Sequence, residues 1–297
     1  MYQFDKSKLV TKPATSIVML ISLFIFLLVA MSLIVTYLYT VIQNEVAILR
    51  ITAVLQSVLV FITPAVAVAM LSTRYPASLL AIDKLPSWKM VLTSVCILIV
   101  SIPLMNVVIG LNQSITFPES MSGIEKIFRE VETSSEESFK TLFQGSNVAT
   151  LLMNITVIGI FAGLGEEIFF RGGLMRLFGC VKNISPHTAI WVTAIIFSAL
   201  HLQFFGFIPR MLFGAFFGYL VYWSGSLWLP ILIHILNNSI IVIFSWINST
   251  YSTDININAI GTTSSVTGIV VCIASLIFTI LLIYILRRQA ENSQSKK

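Results

Sequence analysis

Glu166 and Glu167, with Arg171 close behind, stand in the stretch VIGIFAGLGEEIFFRGGL, one of the most apolar in a chain of 297 residues that holds only 13 acidic side chains. A charge placed in a bilayer costs at least ~2.5–3.5 kcal/mol on insertion scales. Two adjacent carboxylates at such a place point to catalysis, metal binding or ion transport. On a helix Glu167 and Arg171 form an i,i+4 pair with the acid on the N-terminal side, the favoured order. Glu166 points about 100° away from its neighbour and has no partner on its own helix. The spacing therefore predicts one structural glutamate and one working glutamate, the latter suited to act as a general base on water. His201 follows Phe197 by four residues, and His234 shares a helix face with Asn238. The two histidines could share a proton, orient a water or ligate a metal. The Asn238 amide could donate to a developing oxyanion, an interaction worth roughly 3–4 kcal/mol at known sites of that kind. These are parts of a hydrolase that uses water directly and needs no serine or cysteine nucleophile.

The elements that must carry these groups follow from composition. The chain is 57% hydrophobic and 10% charged, with a mean hydropathy of +0.92, whereas soluble domains are about a quarter charged. An integral membrane protein is expected. Its backbone must satisfy itself as helices or a closed barrel, and continuous apolar runs favour helices. Eight spans are predicted, near 16–42, 51–72, 89–111, 149–180, 187–205, 208–224, 227–247 and 266–286, giving an all-α, polytopic bundle with a catalytic cavity inside it. The first run is too long for the roughly 7–15-residue core of a cleavable signal. Three regions are expected: 1–148, three membrane helices with an acidic loop over 112–148; 149–247, the catalytic core; and 248–297, a loop, the last span and a basic tail.

Basic residues set the orientation. Lys6, Lys8 and Lys12, then Arg74, Lys84 and Lys89, then Arg176 and Lys182, then Arg287, Arg288, Lys296 and Lys297 all fall on one side of an eight-span chain. That side is expected to be the cytoplasm, with both termini inside and the protein in a bacterial cytoplasmic membrane. Arg50 and Arg210 fall on the other side, as a minority. The opposite loop, with Ile124, Phe128 and Val131, then Phe139, Leu142 and Phe143, reads as two short amphipathic helices. Gly163, Gly165, Gly172 and Gly173 read as sites of close helix packing ahead of a substrate slot. The net charge of +5 reflects membrane flanks, without the basic blocks of a nucleic-acid surface, and Cys96, Cys180 and Cys272 suggest neither a disulfide framework nor a cysteine metal site.

Three motifs carry a family resemblance. EEIFFR at 166–171 resembles EExxxR, FSALH at 197–201 resembles FxxxH and HILNN at 234–238 resembles HxxxN, in the order found in the CPBP family of CAAX-protease and bacteriocin-processing (ABI) membrane proteins. The resemblance covers about 149–247. It implies an intramembrane endopeptidase acting on a membrane-associated protein or peptide. Carried over by position, Glu166 activates water with help from His201, His234 and Asn238 hold the oxyanion, and Glu167, Arg171 and Phe197 support the site. The family is often called a metalloprotease group, and Glu166, His201 and His234 with a water could make a tetrahedral zinc site. A metal-free glutamate mechanism is equally drawable and slightly preferred. The competing readings are a non-catalytic peptide-binding, immunity or scaffold protein and, behind it, a proton-coupled transporter.

Overall fold

Long apolar runs can pair their backbone groups internally only by coiling. The computed structural model, which describes residues 4–251, 253, 259–262 and 265–294, is built of helices and loops. Helix α1 is Pro13–Val41 and α2 is Glu45–Ser72, started by an Asn44 side chain that accepts the Ala47 N–H. A bent pair follows, α3 (Trp88–Val100) and α4 (Ile102–Gln113), broken by 49° just before Pro103. Helix α5 is Ser122–Leu142, and α6 is Val148–Cys180, capped by Asn147. Then come α7 (Pro186–Ala199), α8 (Phe207–Ser224), α9 (Trp228–Tyr251) and α10 (Val266–Gln294). Among the described residues there is no sheet, only a single antiparallel bridge between Leu9 and Thr73.

Six helices are long and apolar enough to cross a membrane, or seven if the bent pair counts as one span. The outer ones look the part. Helix α1 buries only Ser16, Leu20 and Met31, and leaves Phe26 and Leu33 about two-thirds exposed, as side chains in contact with lipid would be.

Two expectations are corrected. The span expected at 187–205 is a 14-residue helix ending at Ala199. At 1.5 Å per residue it reaches about 21 Å, short of the roughly 30 Å hydrocarbon layer. The chain then turns sharply, with Leu202 at φ 58°. The two short helices expected in the acidic loop are one helix, α5. Glu125 pairs with Arg129 at 2.6 Å in its first turns, and in its polar middle the Thr133, Ser135 and Ser138 hydroxyls are satisfied by carbonyls one turn back. Lys296, Lys297 and much of the loop after Asn248 lie outside the described residues.

The glycines around the glutamate pair bring backbones together. A Cβ on Gly163 would stand 3.2 Å from the Ile235 nitrogen of α9, and one on Gly165 would stand 3.0 Å from the Ser57 carbonyl of α2. Helix α6 is thus wedged between α2 and α9 at the level of Glu166. Its lower end is tied by Arg176, which donates to the carbonyls of Ser78 and Leu79.

Candidate active site

Helix α6 changes winding around the acidic pair. Wider π-helical stretches, Ile155–Phe161 and Ile168–Leu174, flank the α-helical turn Ala162–Glu167. Such wider turns recur at functional sites. No hydropathy pattern foretold them.

Glu167 is fully buried, and so is Arg171. An unpaired charge at that depth would be severely penalised, and the two neutralise each other, with Arg171 Nη1 donating to Glu167 Oε1 at 2.7 Å. Arg171 Nη2 donates to the Gly214 carbonyl at 3.1 Å, and the guanidinium lies 4.3 Å from the centre of the Phe197 ring. Gly214 makes this approach feasible, since a Cβ there would stand 3.1 Å from Nη2. Glu167 Oε1 also accepts a 2.9 Å bond from His234 Nδ1. A carboxylate only accepts, so the proton is on Nδ1 and the Nε2 edge of His234 is left free.

Glu166 faces that free edge. Its Oε2 is 3.8 Å from His234 Nε2, and its side chain keeps 16% of its surface accessible whereas that of Glu167 keeps none. The two neighbouring acids therefore live in different surroundings: one is sealed and doubly bonded, the other open and without a direct bond to His234.

His201 sits in the turn after α7. Its Nδ1 is 2.9 Å from the Phe197 carbonyl, which fixes the proton on Nδ1 and leaves Nε2 as the acceptor. Glu166 and His234 are both close enough to act on His201 electrostatically. Phe197 is the common wall, with its ring 5.1 Å from that of His201 and 6.4 Å from that of His234. Glu166, Glu167, Arg171, Phe197, His201 and His234 are thus brought together. Asn238 lies one turn beyond His234. One of its amide N–H groups goes to the Ile158 carbonyl at 3.1 Å, and its oxygen lies 3.3 Å from the Asn237 amide nitrogen. Beside it, a cavity of about 410 Å³ between the bent pair, α8 and α9 is lined by Met105, Phe213, Asn237, Ile240 and Phe244 among others.

Sequence reasoning missed two supports. Phe217 stacks on His234 with ring centres 5.0 Å apart, and Gly214 supplies the carbonyl for Arg171. Both lie in FGAFFG, which reads as lipid or helix contact. Their spacing of three residues on one face of α8 was the available signal.

A catalytic zinc needs three protein ligands at about 2 Å. Among the described residues no three His, Cys, Asp or Glu side chains are gathered to hold a metal ion, so Glu166, His201 and His234 as placed do not fit one.

Residues 148–240 match the family model described as type II CAAX prenyl endopeptidase Rce1-like. The chain carries an Rce1-like domain. That domain takes in α6, α7, α8 and the first part of α9, and so every side chain of the cluster. Helices α1 to α5 and α10 lie outside it. No curated protein and no solved structure matches the chain.

Proposed function

We propose that the Rce1-like domain is an intramembrane endopeptidase that cleaves a membrane-associated protein or peptide with a glutamate-activated water. One observation carries this reading: Glu166 Oε2 and His234 Nε2 face each other at 3.8 Å while Glu167 Oε1 is taken up by Arg171 and His234. A water within roughly 2.8 Å of each would bridge that gap. Glu166 takes a proton from this water as its oxygen attacks the scissile carbonyl carbon. The carbonyl becomes a tetrahedral oxyanion. The second N–H of Asn238 donates to that oxyanion, and His234, with its proton on Nδ1, orients the attacking water by accepting from it through Nε2. The C–N bond then breaks, and the proton held by Glu166 passes to the leaving nitrogen, with His201 Nε2 as its relay. Glu167 and Arg171 hold His234 in its tautomer and orientation, as a buried acid does for the histidine of a hydrolytic triad.

The apolar cavity beside Asn237 suits an apolar segment of the substrate. The test is cleavage of a membrane-proximal peptide by purified protein in proteoliposomes. Glu166→Gln should abolish it with an unchanged melting profile. Full cleavage by Glu166→Gln would remove Glu166 as the base, and a biological effect that survives in this variant would favour a scaffold protein.

A further inference from the structure

We infer that Asn112, which lies outside the Rce1-like domain, is a positioning residue for His201; the role rests on the endopeptidase reading given above. His201 is not on a helix. It stands in the turn between Ala199 and Phe207, next to Leu202, whose φ of 58° is a conformation that a bulky residue holds only under constraint. The bond from His201 Nδ1 to Phe197 sets the tautomer of the ring. It does not set the ring's distance from Glu166, because that depends on the path of the turn.

Two bonds from one side chain fix that path. Asn112, at the end of α4 and only 1% exposed, donates through Nδ2 to the Phe204 carbonyl at 3.0 Å and accepts the Ile208 N–H through Oδ1 at 2.7 Å. Ile208 lies in the first turn of α8 and has no carbonyl of its own helix to bond, so the amide also caps that helix. From the domain's side the turn is closed by Ser198 Oγ, which donates to the Phe207 carbonyl at 2.6 Å. Also within the domain, Arg210 Nη2 donates to Gln203 Oε1 at 2.6 Å, and further contacts come from the same outside segment as Asn112. Phe117 and Phe128 pack on Phe204 with ring centres 5.0 and 5.2 Å apart, and the Arg129 guanidinium lies 4.4 Å from the centre of the Phe205 ring. Segment 112–129 thus forms the second wall of the turn that presents the histidine to Glu166.

The test needs no substrate for its first arm. The chain has 3 histidines, so histidine-labelled protein in micelles gives three sets of imidazole signals, assigned by replacing His187, His201 and His234 one at a time. In Asn112→Leu the His201 signals should shift or broaden while those of His187 and His234 stay. Asn112→Asp keeps the acceptor for Ile208 and should give a smaller change. In the second arm, kcat of Asn112→Leu should fall toward the about hundredfold loss that a 1 Å misplacement brings, with KM within about twofold. Unmoved His201 signals would overturn the inference. If Asn112→Leu does not fold, Asn112→Asp and Phe128→Leu decide, and unmoved His201 signals in both would overturn it. Absence of cleavage by the unaltered chain counts against the endopeptidase reading alone, since the imidazole signals still judge Asn112.

Discussion

At Glu167, one oxygen serves two donors: Arg171 at 2.7 Å and His234 at 2.9 Å both converge on Oε1. Removing that carboxylate leaves a guanidinium with 1% exposure and no carboxylate bonded to it. Glu167→Ala should therefore destabilise the protein by about 3–5 kcal/mol, the usual cost of breaking one side of a buried pair, read as an early unfolding transition in detergent. Glu166→Gln should leave that transition in place, since Glu166 makes no close bond to His234. Arg171→Lys should also lose stability, because an ammonium cannot bond Glu167 and Gly214 together while lying flat on Phe197. Equal stability of Glu167→Ala and Glu166→Gln would refute this division of labour. The Glu167–Arg171 pair was legible in the sequence because both residues lie on one helix and four positions apart is a local distance. The grip of Glu167 on His234 was not, because it joins residues 67 apart in the chain, and nothing in spacing tells which of two adjacent acids a distant imidazole will meet.

The elements hold their positions by backbone proximity. Gly163 lets α6 lie against Ile235 of α9, one residue from His234. Gly163→Val should push the helices apart, cost about 1–3 kcal/mol as overpacking does, and reduce cleavage by widening the space between Glu166 and His234. Measured stability and activity that are both unaltered would rule out the wedge. Helix α5 offers a pH readout. Burial raises the Glu132 carboxyl above its ordinary value, against the pull of Arg210, with Glu136 adding to the rise and the Phe205 N–H opposing it. A raised folded-state value means that docking of α5 is favoured most below the unfolded carboxyl value, and that this contribution is lost as pH rises through the folded one. A spin label at the exposed Ser134 should gain mobility over that interval, and Glu132→Gln should flatten the change. The sequence showed that this segment was amphipathic but suggested a break at its serine-rich middle. The helix runs on through it, with the hydroxyls bonded to the preceding turn. The π-helical turns of α6 were invisible for a related reason: their residues are as apolar as those of any α-helix, and tertiary packing decides the winding.

Across the whole molecule, apolar content alone located every helix long and apolar enough to cross a membrane, because lipid leaves the backbone no other solution. Counting apolar residues could not tell that the run at 187–205 bends after Ala199, since Leu202 is as hydrophobic as its neighbours and only its φ of 58° marks the reversal. That reversal has a consequence for the solvent. A 14-residue helix leaves about 9 Å of the hydrocarbon layer unmatched, and a bilayer answers a short segment by thinning around it. Phospholipid headgroups would then dip toward the tip of α7, drawing moisture to the rim of the bundle beside His201. The water consumed in the proposed hydrolysis would arrive from this dimple. In a chain whose Cys96, Cys180 and Cys272 are replaced by alanine, a charged maleimide supplied on both faces of a liposome should accordingly react with a cysteine placed at Leu202, 68% exposed, and spare one at Ile277 on the long apolar helix α10, 59% exposed.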